Sequence, residues 1–364
     1  MVHAAQRRRP VAAFAAMQSR QIAGAGEHSI TRVSAYAVPA TSTKGEGYSV
    51  LQIETQSGVT GYGECSPISA SDVKSLSSII GGKSAFAYEP LSEMAPHSTR
   101  GGVNMALLDI AGKIIKAPVY RVLGGPTRTK ARAVARLRGS TDAEIISAAK
   151  NHATSGVRAF LVPIEPPPAR NQGSLFIKTN LDRLDALRAA VPKADFAIAG
   201  ASQLTPSDAA SLASAAEKDR PLWFDQPCDI TNLDALRKVC DETVVPVAFG
   251  RGIGNPGIFQ DLLRGGLIDL VRPDLLVYGI SGLCRIAAMA ETYYVAVAPL
   301  HDAGPIATAA ALQAAASMPN FFALEVPEGG IGTLKIKDGF FELPKEPGLG
   351  INVDRSKFER SRIA

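Results

Sequence analysis

The chain has 364 residues, of which 46% are hydrophobic and 20% charged, a composition typical of ordinary folded domains. No apolar run approaches the roughly 20 residues that a membrane-spanning helix needs, so a bilayer-spanning protein is excluded. The net charge of +5 includes four arginines within residues 1–26, which contain no acidic residue, and subtracting them leaves +1. The rest of the chain therefore lacks the basic surface that nucleic acid binding requires.

The N-terminal extension and the cysteines indicate the compartment. Residues 1–26 carry an arginine run followed by a short apolar stretch, which fits either a disordered basic extension or the remnant of an export signal. The four cysteines show no CxxC spacing, which is typical of reduced, buried thiols. We therefore expect a cytoplasmic protein, or an exported one if residues 1–26 are a signal.

A small α+β domain is predicted over residues 27–126. Its strands are rich in β-branched and aromatic residues, and its helices repeat apolar residues at intervals of three and four. The predicted elements are strands at 30–38, 48–55 and 58–67 and helices at 72–80 and 103–115.

From residue 131 onward, short apolar stretches alternate with alanine-rich helical segments. This alternation predicts a closed parallel barrel over residues 127–331, although an open doubly wound sheet has the same alternation. The predicted strands lie at 131–137, 158–163, 195–199, 222–225, 245–249, 267–272, 294–298 and 321–324.

The residues that follow the barrel strands are the candidates for chemistry, because active sites of such barrels lie at the carboxyl ends of the strands. Gly200, Asp225 and Arg251 follow the third, fourth and fifth strands at spacings of 25 and 26 residues, about one strand–helix unit each. We therefore expect them to be neighbours on the rim. The later strands are followed by Asp274, by His301 and Asp302, and by Glu325.

Short motifs occur in a fixed order between residues 61 and 350. They are GYGECSP at 61–67, ALLDIAGK at 106–113 with PVYRVLGG at 118–125, WFDQP at 223–227, PD at 273–274 with GIS at 279–281, GP at 304–305 with PN at 319–320, and PGLG at 347–350. The same motifs occur in the same order in the enolase superfamily. Over residues 29–358 the chain therefore resembles the mandelate racemase and muconate lactonizing enzyme branch of that superfamily.

The resemblance implies an α/β fold, a modified TIM barrel of the (β/α)7β type with an N-terminal α+β capping domain. It also implies that residues 332–364 return to the cap, and that the protein forms a homo-oligomer. Members of the family remove a proton next to a carboxylate and hold the resulting enediolate on Mg²⁺. Because that carbon acid is weak, the anion needs concentrated positive charge beside a lysine or histidine base.

The residues at the family's base and metal positions depart from its pattern. The Lys-x-Lys base falls on residues 161–163, whose LVP sequence cannot take a proton. The three metal carboxylates fall on Gly200, Asp225 and Arg251, so Asp225 alone is a ligand-type residue. We therefore expect no magnesium and no other cofactor. This mapping predicts that Gly200→Asp combined with Arg251→Glu would restore Mg²⁺ affinity if the remaining geometry is intact.

The remaining rim residues suggest an acid/base pair. Asp274 matches the aspartate of the family's His–Asp dyad, whereas His301 lies one position later than the expected histidine. His301 either reaches Asp274 or is an exposed loop histidine.

A charged subsite is the second prediction for the rim. Arg251 is predicted to form a bidentate pair with Asp225. In the functional interpretation Asp225 and Arg251 bind the substrate, and Arg251 supplies fixed positive charge for its carboxylate, together with Arg272. In the structural interpretation the pair only fills the space of the lost metal. Glu325 either binds substrate oxygens or is structural.

Two functions from different classes follow. The first is a divergent enzyme, a racemase, isomerase or dehydratase-like protein that removes a proton next to the carboxylate of a small hydroxy or sugar acid without the usual magnesium site. The alternative is a non-catalytic carboxylate-binding or assembly protein on the same scaffold, a pseudoenzyme. A small-molecule carboxylate is the expected partner in the enzyme and in the carboxylate-binding form of the alternative, and neither nucleic acid nor a membrane is expected.

Overall fold

The computed structural model describes residues 26–39, 47–166, 173–327 and 330–363. The predicted extension over residues 1–26 lies outside these ranges except for Gly26. Within the described ranges, the helices are too short or too polar for any of them to cross a membrane.

The N-terminal part of the chain forms an antiparallel sheet covered by helices. The sheet order is β1-β2-β3, and the first two strands have the predicted bounds. Ser69 begins the first helix with a capping box, in which its hydroxyl and the Asp72 carboxylate each accept a backbone N–H of the other residue. The strands are β1 Ile30–Val38, β2 Tyr48–Thr55 and β3 Thr60–Cys65, and the helices are α1 Ala70–Ile80, α2 Tyr88–Met94, α3 Arg100–Ile114 and α4 Val119–Val122.

Helix α3 lies directly on strand β3 because glycine occupies alternate positions of that strand. A Cβ on Gly61 would lie 2.1 Å from the carbonyl oxygen of Ala106, and one on Gly63 would lie 2.0 Å from that of Gly102. Without side chains at these two positions the backbones approach closely, so α3 is buried between the sheet and the second domain.

Parallel strands alternate with helices through the rest of the chain. The strands are β4 Lys130–Arg136, β5 Ala159–Pro163, β6 Asp195–Ala199, β7 Phe224–Asp225, β8 Val247–Phe249, β9 Leu270–Val271, β10 Ala296–Val297 and β11 Leu324–Val326. The helices are α5 Asp142–Thr154, α6 Gly173–Ala190, α7 Pro206–Ala216, α8 Leu233–Asp241, α9 Pro256–Gly265, α10 Leu275–Glu291 and α11 Pro305–Ala315.

The parallel strands close into a ring. Neighbouring strands pair in chain order from β4 to β10, and β11 pairs with β4. Between β10 and the segment that leads into β11, Val297 forms a parallel bridge with Phe321, and its backbone N–H donates to the Asn320 carbonyl at 2.9 Å. The predicted (β/α)7β barrel with an N-terminal cap is therefore confirmed, and the open-sheet alternative is wrong.

Small side chains and one tryptophan fill the barrel interior. Trp223 and Leu161 are both fully buried there, in a cluster separate from the larger core between the strands and the helices. Leu161, which the resemblance aligns with the start of the family's Lys-x-Lys segment, packs in this interior.

The C-terminal segment joins the two domains. It forms strands β12 Ile336–Lys337 and β13 Phe340–Glu342, and β13 pairs antiparallel with β4. Further on, the backbone N–H of Ile363 donates to the carbonyl of Ala35 in β1 at 2.8 Å. The predicted domain boundaries at residues 126 and 331 stay predictions.

Candidate active site

The carboxyl ends of the barrel strands bring together charged residues of both signs. Strands that are far apart in the sequence contribute them, because the parallel strands all end at the same rim. The arginines are Arg136, Arg251 and Arg272, and the acidic residues are Asp225, Asp274, Asp302 and Glu325.

Glu325, in β11, lies at the centre of this cluster. Its carboxylate accepts from Nε of Arg136 at 2.8 Å, from Nη2 of Arg251 at 2.9 Å and from Nη2 of Arg272. Burial alone would raise the pKa of Glu325, but the three guanidinium groups hold it well below its usual range. Glu325 is therefore a buried, ionised carboxylate that joins three strands of the rim.

Arg251 does not form the predicted bidentate pair with Asp225. Among the described residues, the cations within ion-pair distance of Asp225 are Arg272, with Nη1 at 2.5 Å, and Arg136, with Nη2 at 3.3 Å. Arg251 instead contacts Asp302 and the central glutamate, because its side chain extends across the mouth toward β10 and β11.

The exposure of the three arginines decides which of them a ligand can reach. The side chain of Arg251 is 27% exposed and that of Arg136 is 17% exposed, whereas that of Arg272 is 1% exposed. Arg272 was predicted to bind substrate, but it is enclosed between two carboxylates and supports the cluster from within. Arg136 was not predicted. Its position at the inward-facing end of β4 is the signal that indicates it.

A cavity of about 530 Å³ opens at this cluster. Its lining includes Arg136, Asp302 and Glu325 of the cluster and also Arg138, but not Arg251, Asp274 or His301. The opposite wall comes from helix α5 and from the segment that follows β11. This volume is sufficient for a small sugar acid.

His301 is fully buried, so the alternative of an exposed loop histidine is wrong. Its Nδ1 accepts from the backbone N–H of Ala303, and its Nε2 lies 3.3 Å from Oγ1 of Thr308. Burial lowers the pKa of His301 to about 4, against the opposing effect of nearby carboxylates, so the imidazole is neutral near pH 7.

Asp274 caps helix α10, with its Oδ1 accepting from the backbone N–H of Leu276 at 2.8 Å. Burial raises the pKa of Asp274 to about 6. A backbone bridge between Asp274 and Leu300 places the two strand ends side by side. The described contacts of His301 and Asp274 do not include a hydrogen bond between them, so the acid/base dyad stays a prediction.

The residues at the family's metal position do not fit a magnesium ion. A Cβ on Gly200 would lie 2.7 Å from the carbonyl oxygen of Gln226 and 2.8 Å from Cα of Pro227, so the backbone leaves no room for a carboxylate. By the resemblance, Arg251 stands at the position of the third carboxylate, and its guanidinium group pairs with Asp302 and Glu325. Within the described ranges, three or more His, Cys, Asp or Glu side chains nowhere come together in a way suited to a metal.

These features define a class of protein. The chain is a capped parallel barrel with a cavity and a charged cluster at the carboxyl ends of its strands, the arrangement in which barrel enzymes bind and convert small molecules.

Comparison with known families agrees with this architecture. Residues 132–357 match the family described as enolase C-terminal domain-like, and residues 28–124 match the N-terminal domain of the mandelate racemase / muconate lactonizing enzyme family. The chain therefore belongs to the mandelate racemase and muconate lactonizing enzyme branch of the enolase superfamily.

Individual relatives are similar at low identity. A D-galactonate dehydratase from Ralstonia pickettii is 27% identical, covering 92% of this chain and 95% of the relative. A D-xylonate dehydratase from Haloferax volcanii is 28% identical, covering 73% of this chain and 70% of the relative. The crystal structure of a mandelate racemase/muconate lactonizing enzyme-like protein from Rubrobacter xylanophilus superposes with a TM-score of 0.80 at 26% identity, covering 92% and 98% of the two chains.

Proposed function

We propose that the protein is a dehydratase-like enzyme that removes water from a small sugar acid or hydroxy acid, without the magnesium site of its family. The names of its curated relatives, which are D-galactonate and D-xylonate dehydratases, favour elimination over racemisation. Their likeness extends over both domains of this chain, so it includes the strands that form the rim.

The observation that carries the proposal is the pair of partly exposed guanidinium groups, Arg136 and Arg251, at the mouth. Planar guanidinium groups bind carboxylates through paired hydrogen bonds. Fixed positive charge in a site that is partly shielded from water also stabilises the enediolate that forms when the neighbouring carbon loses its proton. In this proposal Arg136 and Arg251 supply the charge that a metal ion supplies in relatives, and the buried Glu325 holds both arginines.

His301 and Asp274 are the acid/base pair of the proposed reaction. The neutral imidazole of His301 takes the proton from the carbon next to the carboxylate, and ionised Asp274 stabilises the imidazolium that results. The C–H electron pair first forms the C=C bond of the enediolate. When the carboxylate re-forms, this pair forms the new C=C bond to the next carbon, whose C–O bond breaks. The leaving hydroxide takes the proton back from His301 and departs as water, and the enol becomes a 2-oxo acid. This sequence requires Nε2 of His301 to exchange its contact with Thr308 for one with Asp274, and Nδ1 to release the N–H of Ala303 so that its lone pair can take the proton.

Incubation with D-galactonate and D-xylonate in D₂O tests the proposal. We expect formation of a 2-oxo-3-deoxy acid at rates that EDTA does not change, and loss of activity in Arg251→Ala. Arg285→Ala, which removes an exposed arginine of helix α10 that pairs with Glu89 of the cap, is the matched control.

Two other outcomes contradict the proposal. Thermal stabilisation by these acids without hydrogen exchange or product would instead support the alternative, a non-catalytic carboxylate-binding protein. Activity that appears only with added Mg²⁺ would show that the site uses a metal after all.

A further inference from the structure

A carboxylate of the cap lies against the barrel directly behind the rim. Glu64, in strand β3, is buried, and its Oε2 accepts from the backbone N–H groups of Gly304 at 2.7 Å and Ala307 at 2.9 Å. Its Oε1 accepts from the N–H of Ile306 at 3.3 Å. These N–H groups belong to the beginning of helix α11, where a helix has no partners of its own for them.

The helix that Glu64 caps also fixes the segment that carries the proposed base. Helix α11 begins four residues after His301, and Thr308 in its first turn contacts the imidazole. Asp302, in the same segment, contacts Arg251. A shift of this helix end would therefore displace both the imidazole and one carboxylate partner of the exposed arginine.

The contact has little freedom to adjust. A Cβ on Gly304 would lie 2.1 Å from the hydroxyl oxygen of Tyr48 and 2.9 Å from Oε1 of Glu64. Burial raises the pKa of Glu64 to about 7, although the three N–H groups act against that shift. The cap and the rim segment therefore meet at a closely packed polar contact, which few other arrangements of these groups would satisfy.

We propose that Glu64 is a positioning residue for the reaction, one that holds the rim segment 301–304 in place from the cap. The inference rests on the proposed function, because the segment carries the base of that reaction. Glu64 is buried and its carboxylate binds the N–H groups at the start of helix α11, so its effect on catalysis passes through the helix end it binds.

Asp109 offers a matched control. It is a second buried carboxylate of the cap and also accepts from backbone N–H groups, those of Tyr62 at 3.1 Å and Leu349 at 2.9 Å. Its partners lie in the cap and the C-terminal segment, away from the rim. Asp109 also accepts from Nζ of Lys113 at 2.7 Å. Loss of its charge removes a buried contact without touching residues 304–307 at the start of helix α11, although Leu349 accepts from Gln313 further along that helix.

The test compares Glu64→Gln with Asp109→Asn in the full chain. An amide offers one acceptor oxygen in place of two, so Glu64→Gln is expected to speed amide hydrogen exchange at residues 304–307 at least tenfold. With D-galactonate, kcat is expected to fall at least tenfold while KM stays within threefold, because Arg251 keeps its contact with Glu325. Asp109→Asn is expected to leave both the exchange at 304–307 and kcat unchanged.

Gly304→Ala provides a second route to the same contact and is expected to reproduce the effects of Glu64→Gln. If Glu64→Gln does not fold, the same measurements on Gly304→Ala test the proposal. Unchanged exchange at 304–307, or equal effects of Asp109→Asn, would overturn the positioning role. If the wild type converts neither sugar acid, the proposed function fails, and the exchange measurement alone still decides whether Glu64 holds the segment.

Discussion

At the scale of single residues, Glu325 shows how a buried charge is tolerated in this protein. Burying a carboxylate without partners would destabilise the folded state by several kcal/mol. The three guanidinium groups that contact Glu325 offset the cost of removing its charge from water. The same contacts leave those arginines dependent on Glu325, since each of them is largely buried at the rim.

Glu325→Gln is expected to lower the free energy of unfolding by about 3–5 kcal/mol at pH 7, because the guanidinium groups lose a buried counter-charge. The pKa of Glu325 is depressed in the folded state, so its contribution is present above the ordinary carboxyl pKa and is lost as the pH falls through the folded value. Urea denaturation should therefore show a difference between variant and wild type that narrows in acid. Lys178→Ala, in an exposed ion pair, should change little at any pH.

The glycine at position 200 leads to a second prediction at this scale. Gly200→Asp combined with Arg251→Glu restores two carboxylates on paper, but the new Cβ at residue 200 would meet the Gln226 carbonyl at 2.7 Å. The structure thus reverses the expectation from the sequence, and calorimetry should detect no Mg²⁺ binding to the double variant. Binding at micromolar Mg²⁺ would mean that this backbone moves more easily than its packing indicates.

At the scale of elements, the end of a strand and the start of a helix together set the chemistry of a side chain. Asp274 follows the sixth barrel strand, β9, and is the N-cap residue of helix α10. The hydrogen bond from the N–H of Leu276 favours the ionised form of Asp274. Burial favours the protonated form and has the larger effect, so the pKa of Asp274 is raised to about 6.

The proposed reaction needs ionised Asp274, so kcat is expected to rise as the pH increases through about 6. Asp274→Asn should lower kcat about a hundredfold or more and remove this dependence. Asp72→Asn, which alters an exposed helix-capping acid in the cap, is the control that should keep the profile. A wild-type profile that is flat between pH 5 and pH 7 would contradict the role of Asp274.

At the scale of the whole molecule, the cap and the barrel form one structure through buried polar contacts. Asn104 in helix α3 donates to Oγ of Ser281 at 2.9 Å and accepts from its backbone N–H at 3.0 Å. Gly279, with a φ of 65°, gives helix α10 the kink that makes room for Asn104. Glu64 adds a contact nearer the rim. The cap therefore supports the site rather than only covering it.

Asn104→Ala is expected to destabilise the protein by about 1–3 kcal/mol, because it leaves the buried partners on Ser281 unsatisfied. Thermal or urea unfolding measures this loss. Arg285→Ala also removes a contact between cap and barrel, but that ion pair with Glu89 is exposed, so its loss should be small. Equal losses of stability in the two variants would show that the buried Asn104–Ser281 contact stabilises the protein no more than the exposed ion pair does.

Local patterns were sufficient to predict most elements, because apolar periodicity depends on neighbours in the sequence. The strand Asp195–Ala199 has the predicted bounds, and Ile30–Val38 and Tyr48–Thr55 do as well. The short strands β7 to β10 are trimmed relative to prediction, since pairing with neighbours rather than apolar content decides where a ladder ends.

The sequence by itself determined the family and the capped barrel, since residue identity and order along the chain are enough for these, and it predicts the loss of the family's base and of two metal carboxylates. Only the tertiary structure decided that Arg251 pairs with Asp302 and Glu325, that Arg136 shares the mouth, and that His301 is buried. The physical reason is that ion pairs at the rim join side chains from strands far apart in sequence. Their partners depend on the direction and burial of each side chain, and spacing along the chain specifies neither.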